Sequence, residues 1–311
     1  MSFWKDLATK KRPFLALAPM EDVTDVVFRQ VIEEVAPPDV FFTEFTNIEA
    51  ILHGEISRLK ANITPTIAQI WGTNPESFYK ASQIVSEMGF SGIDINMGCP
   101  QRTELKIGAC AALIDNHSLT TEIIDAVQHG TKLPISVKTR IGIKKIQTED
   151  WIGFLLTQKL DALTVHGRTV KEMSSVPAHW DEITKTVSLR DQSKSKTIII
   201  GNGDVKQAQD ASYRAQETGV DGMMIGRGVF ENPWCFSDHI STQEEKINLL
   251  KRHLELWQET WGDKKNFSVL KKYFKIYVRD FDGASELRTK LMNSNSISDI
   301  ISVLRRGAGG V

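Results

Sequence analysis

In the stretch DINMGCPQRTELK (94–106), an apolar run stops abruptly at Gly98-Cys99-Pro100. Pro100 has no backbone donor and Gly98 tolerates conformations closed to other residues, so the thiol stands in a loop that its neighbours restrict. Three chemistries are open to it. It can be a small buried apolar group, the commonest fate of cysteine. It can be a thiolate nucleophile, which needs an adjacent base that the local sequence lacks. It can be a general acid, which needs only to be protonated, and an ordinary thiol pKa of about 8.5 leaves it so at neutral pH. The third role suits reduction of a double bond, in which hydride enters one carbon and the acid protonates its neighbour.

Other reactive side chains recur along the chain. Lys138 lies inside the apolar run ISVKTRIG, where a lysine without a partner is rarely buried. It is either a strand-end lysine reaching solvent or a cation facing a group that gains negative charge, as a reduced flavin does near N1 and O2. Gln69 can hydrogen-bond a ring edge. His166 alone carries little weight, since a satisfied core histidine is commoner. GNGD (201–204) and GRG (226–228) are either two tight turns or an anion site, with backbone N–H groups and Arg227 facing a phosphate. Cys110, in GACAAL, and Cys235, in NPWCF, read as packing residues.

These groups can meet only through the fold. Eight β-rich runs occur at 13–20, 39–45, 65–72, 92–100, 134–142, 162–169, 197–205 and 222–230. Most are apolar throughout, as strands covered on both faces are. Helix-compatible segments separate them. NPESFYKASQIVSEMGF, for example, places Phe78, Ser82, Ile84, Val85 and Met88 on one stripe. The pattern predicts an α/β chain, a (β/α)8 barrel followed by a small helical domain, rather than a doubly wound open sheet. In a barrel the polar strand ends converge on one rim. Residues 1–240 are expected to form the barrel and 241–311 the small helical domain.

Composition is that of an ordinary globular protein, 41% hydrophobic and 25% charged. No apolar run is long enough to span a bilayer and no secretory signal is legible at the start. Three cysteines give no disulfide framework, which suits a reducing cytoplasm, and no spacing suggests a metal. The net charge of −1 divides unevenly: 243–311 holds 13 Lys/Arg against 9 Asp/Glu. In NFSVLKKYFKIYVRDF (266–281), read as a helix, Leu270, Phe274, Tyr277 and Phe281 share a face opposite Lys271, Lys272, Lys275 and Arg279.

LAPMEDVTD, INMGCP, VKTRIG, VHGRT, GNGD and MIGRG, in this order, resemble the tRNA-dihydrouridine synthase family over about residues 13–235. The resemblance implies an FMN-containing barrel that reduces the C5–C6 bond of particular uridines in tRNA with NADPH. It implies Cys99 as the proton donor. Pro19, Met20 and Glu21 would lie against the flavin, with Gln69, Lys138 and His166 as further contacts. Asn202, Gly203, Asp204, Gly226 and Arg227 would hold the phosphate end. Asn96 would face the uracil. Arg168 and Lys106, beside the loops 170–178 and 101–107 that depart from the family pattern, and Lys272, Lys275 and Arg279 on the tail would meet the RNA. A monomeric, cytoplasmic enzyme is expected. The competing readings are a flavin oxidoreductase for a free pyrimidine, a flavin-free phosphate-binding barrel and a non-catalytic RNA-binding protein.

Overall fold

All eight expected strands are present in the computed structural model, which describes residues 3–10, 12–61 and 63–307. They are β1 Phe14–Leu17, β2 Phe41–Phe42, β3 Thr66–Trp71, β4 Gly92–Met97, β5 Ile135–Arg140, β6 Ala162–His166, β7 Ile198–Asn202 and β8 Gly222–Ile225. All pair in parallel, in the order β1-β8-β7-β6-β5-β4-β3-β2. A parallel bridge between Ala16 and Val40, with Leu17 N–H donating to the Val40 carbonyl at 3.1 Å, joins β1 to the approach to β2 and closes the ring. β2 is shorter than the sequence suggests. The Thr43 hydroxyl accepts the Gln69 N–H at 3.0 Å in place of a backbone carbonyl, and pairing with β3 resumes only at Thr46–Asn47.

Alternation along the strands sorts side chains between the interior and the helical layer. Phe14, Ala162 and Ile198 begin their strands and pack inside the ring with Trp4 and Leu7 from the helix Phe3–Ala8. Trp4 is fully buried. Apolar side chains thus fill the end where strands start, and the polar inward positions lie toward the end where strands finish. Among the outer helices, Pro75–Ser86 shows how local sequence fixes an element. Asn74 caps it by accepting from the Glu76 and Ser77 N–H groups, and Pro75 occupies the first turn, where no donor is needed. Phe78, Ala81, Ser82 and Val85 are buried. Ile84, expected on this stripe, is exposed, because it lies about 100° from Val85 around the helix.

The described residues group into two compact units. One is Pro38–Gly226 with the chain up to Val26; the other is Val27–Pro37 with the chain from Arg227 onward. In the second, the helix Gln243–Trp261 begins at a capping box of Thr242 and Glu245. His253 Nδ1 lies 2.7 Å from the Tyr277 hydroxyl, and Tyr273 stacks on Phe28 with centroids 5.4 Å apart. The single helix expected over 266–281 is instead a 3₁₀ segment, Phe267–Tyr273, followed by a short helix, Phe274–Tyr277. The three-residue repeat aligns Leu270, Tyr273 and Ile276, so burial extends beyond one helical stripe and Phe281 is only half-buried. No helix among the described residues is long and apolar enough to cross a membrane.

Candidate active site

Cys99 lies two residues past the end of β4, 8% exposed, in a loop held from two sides. Asn96, still in the strand, turns its Oδ1 onto the N–H groups of Gly98 (3.0 Å) and Cys99 (2.9 Å). Its Nδ2 donates to Gln69 Oε1 at 3.1 Å, and Gln69 Nε2 donates to Asp94 Oδ2 at 2.7 Å. The other Asp94 oxygen accepts from the Ser136 hydroxyl at 2.6 Å. A buried chain therefore runs Ser136–Asp94–Gln69–Asn96 to the Cys99 backbone across three adjacent strands. It follows from register, since Gln69 pairs with Asp94 and Asp94 with Ser136. From the side, Arg140 Nε donates to the Gly98 carbonyl at 2.9 Å and its Nη1 to the Thr169 carbonyl at 3.1 Å. Asn96 and Gln69 each keep one amide N–H beyond these bonds.

The ionisable groups perturb one another. Burial raises the Asp94 carboxyl to about 6, against the Ser136 and Gln69 hydrogen bonds and the Lys138 charge. Burial, then Arg140, lowers Lys138 to about 8, against Asp94 and Cys99. The Lys138 ammonium is 3.3 Å from Asn202 Oδ1 and has two more N–H groups. The Cys99 thiol lies below its ordinary pKa, because Cys110 donates to it; burial opposes this, the Gln101 backbone N–H assists, and Glu104 and Glu21 oppose. The ordinary thiol pKa expected from sequence is therefore displaced downward. Cys110 is buried, as a packing residue should be, but it packs directly on Cys99 in a cluster with Phe45 and Ala109.

The remaining expected residues fall as follows. Pro19 and Met20 are half-buried just past β1. Glu21 is tied to protein groups: Arg58 Nη1 donates to Oε1 at 3.1 Å and Gln101 Nε2 to Oε2 at 2.8 Å, joining the loops after β1 and β4. A Cβ at Gly226 would meet Ala18 and Met20 at 3.6 and 3.9 Å. Gly203 is required, since at φ +133° a Cβ would sit 2.7 Å from the Ala178 Cβ. Asn202 Nδ2 donates to the Met224 carbonyl at 2.8 Å. Arg168 is buried and forms an ion pair with Asp204, while its Nη1 donates to His166 Nε2 at 3.2 Å and its Nε to the Val176 carbonyl at 2.6 Å. Asp204 also accepts the Ala178 N–H at 2.8 Å. Arg168 and Asp204 thus brace the loops after β6 and β7.

Lys106 is exposed at the end of the short helix Arg102–Lys106, which follows the Cys99 loop. In the other unit, Arg227 is exposed and Lys272 and Lys275 face solvent. Arg279 is half-buried, pairing with Asp280 and donating to the Phe230 carbonyl at 3.2 Å, so it serves the unit's own packing rather than standing outward beside the two lysines. Sequence reasoning passed over Asp94 and Thr164. Asp94 carried a readable signal, a carboxylate in an apolar strand on the same face as Asn96. Thr164 Oγ1 is buried without a hydrogen-bond partner on β6, beside Lys138 in register.

A family model described as dihydrouridine synthase matches residues 16–305. Over 97% of the chain, a protein of Staphylococcus aureus (strain Mu50 / ATCC 700699) named "Probable tRNA-dihydrouridine synthase" is 44% identical, with 94% of its own length covered. "Probable tRNA-dihydrouridine synthase 2" of Bacillus subtilis (strain 168) is 42% identical over 97% of the chain and 95% of that protein. A solved complex of 2-naphthoyl-CoA reductase shares the fold alone, at TM-score 0.55 and 10% identity, over 75% of this chain and 52% of that one. With this match spanning the strands, the Cys99 loop and the C-terminal helices, the chain belongs to the dihydrouridine synthase family of enzymes.

Proposed function

We propose that the protein reduces the C5–C6 double bond of specific uridines in tRNA, with FMN at the mouth of the barrel, NADPH as reductant and Cys99 as proton donor. The observation that carries this reading is the Ser136–Asp94–Gln69–Asn96 chain, which fixes a thiol-bearing loop at the strand ends in a member of this family.

The residues present suit a flavin. Lys138 offers a cation with unused donors, Gln69 an amide N–H, and Thr164 Oγ1 is a buried polar atom lacking a partner. Pro19, Met20 and Ala18 give an apolar platform, and Gly226 leaves the space beside them open. Bound there, FMN would supply the hydride for the uracil ring. Lys138 would hold the ring's electron-rich edge, with Gln69 and His166 as neighbours. Gly203 and Gly226 would admit the phosphate, and Arg227, next to Gly226 in the chain, would pair with it.

Cys99 would give its proton to the uracil. Because Cys110 and the Gln101 N–H donate to its sulfur, the thiolate left behind is stabilised where it forms. Asn96 sets the loop through Gly98 and Cys99, and its spare N–H is available to a uracil carbonyl. Lys106, and Lys272 and Lys275 of the helical unit, would contact the RNA backbone, which rewards exposed cations irrespective of sequence. Three free cysteines suit a reducing cytoplasm.

Purified protein incubated with NADPH and an unmodified tRNA transcript tests the reading. Mass spectrometry should find dihydrouridine in the RNA, and the protein should carry flavin absorbance. Reduction of free uracil or orotate in place of tRNA would instead favour a pyrimidine oxidoreductase, and a colourless protein would exclude flavin chemistry.

A further inference from the structure

Two of the three cysteines meet although they stand eleven positions apart in the chain. Cys99 and Cys110 share one buried cluster with Phe45 and Ala109, against which Trp71 packs. Their backbones are also joined, since Ala111 N–H donates to the Cys99 carbonyl at 3.4 Å. That nitrogen is bonded to the Cys110 carbonyl carbon, so the two residues are neighbours through the backbone as well as through their shared side-chain cluster. Cys110 has φ +53°, a left-handed conformation that glycine adopts without strain, so turn geometry does not account for a cysteine there.

We propose that Cys99 and Cys110 form a reversible disulfide when the protein meets hydrogen peroxide, with Cys99 oxidised first and Cys110 acting as the resolving thiol. The difference in accessibility sets the order: Cys99 is 8% exposed and Cys110 is sealed. Ionisation points the same way, because the Cys99 thiol is acidified by its donors while the neighbouring Cys99 and burial push Cys110 upward and keep it protonated.

In the first step the Cys99 thiolate attacks peroxide. An S–O bond forms and the O–O bond breaks; the sulfur loses two electrons, peroxide gains them, and hydroxide departs. In the second, the Cys110 sulfur attacks the Cys99 sulfenic acid. The S–S bond forms, the S–O bond breaks, and the Cys110 proton leaves with the hydroxide as water. A dithiol reductant returns both thiols by exchange. Without Cys110, further peroxide would carry Cys99 to the sulfinic acid, which dithiols do not reverse. The pair therefore protects the reactive thiol and silences it at the same time. The silencing rests on the proposed acid role of Cys99; the disulfide does not.

The test uses the full-length, flavin-loaded protein, treated with a small excess of hydrogen peroxide, blocked with N-ethylmaleimide and digested with trypsin without reduction. Mass spectrometry should find the peptide 81–102 linked to 107–132, with two of the three thiols consumed and Cys235 retained. Dithiothreitol should restore both thiols, and tRNA reduction should fall at least roughly tenfold and return with them. Cys110→Ala and Cys110→Ser should give no linked pair and a Cys99 sulfinic acid that dithiothreitol leaves unchanged. A wild-type protein that yields sulfinic Cys99 without the linked peptides, or a link to Cys235, overturns the proposal. A linked pair in a protein that still reduces tRNA at full rate would leave the disulfide standing and sink the acid role of Cys99.

Discussion

Replacing Asp94 by asparagine should stabilise the barrel, and more so at alkaline pH. The carboxylate is fully buried, and burial raises its pKa from the ordinary 3.8 to about 6. A folded pKa above the unfolded one means that the folded state binds the proton more tightly. The acid therefore favours folding below pH 3.8, and that advantage is lost as pH rises through about 6. Relative to an unperturbed acid, the buried charge costs about 3 kcal/mol at pH 8 and about half of that at pH 5. Asparagine has nearly the same shape and no charge. Its oxygen can still accept from Gln69, and the Ser136 hydroxyl can turn to accept from the new amide. Part of the gain is offset because Lys138 loses a counter-charge. Asp94→Asn should thus be about 1–3 kcal/mol more stable than wild type at pH 8, with the gap narrowing toward pH 5. Asp94→Ala leaves Gln69 and Ser136 unsatisfied and should lose about 2–4 kcal/mol at pH 5 and less at pH 8, where the charge it removes costs more, together with most tRNA reduction, since Asn96 and the Cys99 loop lose their anchor. Denaturant titrations of flavin-free protein at pH 5 and 8 decide it. An Asp94→Asn difference that is the same at both pH values would refute the reasoning.

Lys138→Met should weaken FMN binding by roughly 10- to 100-fold in a fluorescence titration, the worth of a charged hydrogen bond. Wild-type affinity should itself fall as pH rises through about 8, where the folded-state ammonium loses its proton; an affinity flat across that range would contradict the assignment. Cys110→Ala removes the main donor that acidifies Cys99, so Cys99 stays protonated to higher pH and the alkaline limb of the tRNA-reduction profile should move upward. Neutralising Lys272 and Lys275 should lower the log–log salt slope of tRNA binding by about 0.7–0.9 for each phosphate that the lysines neutralise, and an unchanged slope would make them ordinary solvated lysines. Arg279→Gln should instead lower the stability of the helical unit by about 1 kcal/mol, through its bond to the Phe230 carbonyl.

Eight apolar runs were enough to read the barrel, because strands covered on both faces leave little ambiguity in composition. The polar residues that interrupt them, Lys138 and Asn96, were legible as site residues for the same reason. Partnership was not legible. Whether Arg168 meets RNA or Asp204, and whether Gln69 is free or tied between Asp94 and Asn96, depends on the register of neighbouring strands, which single-strand patterns do not encode. Cys110 read as packing because GACAAL is a run of small residues; its contact with Cys99 arises from the return of the chain after the short helix Arg102–Lys106. The 266–281 segment misled because its apolar spacing fits a helical stripe, whereas a 3₁₀ turn uses the intervening Tyr273 and Ile276 as core as well.

Single-turnover reaction of Cys99→Ala tests the central claim most directly. The variant removes the proposed acid with little change in volume, so FMN content and bleaching of the flavin by NADPH should match wild type. Dihydrouridine formed in bound tRNA, counted by mass spectrometry, should fall by roughly 10²- to 10⁴-fold, the usual worth of a placed general acid. Wild-type rates of dihydrouridine formation by Cys99→Ala would show that the thiol is structural and would contradict the account.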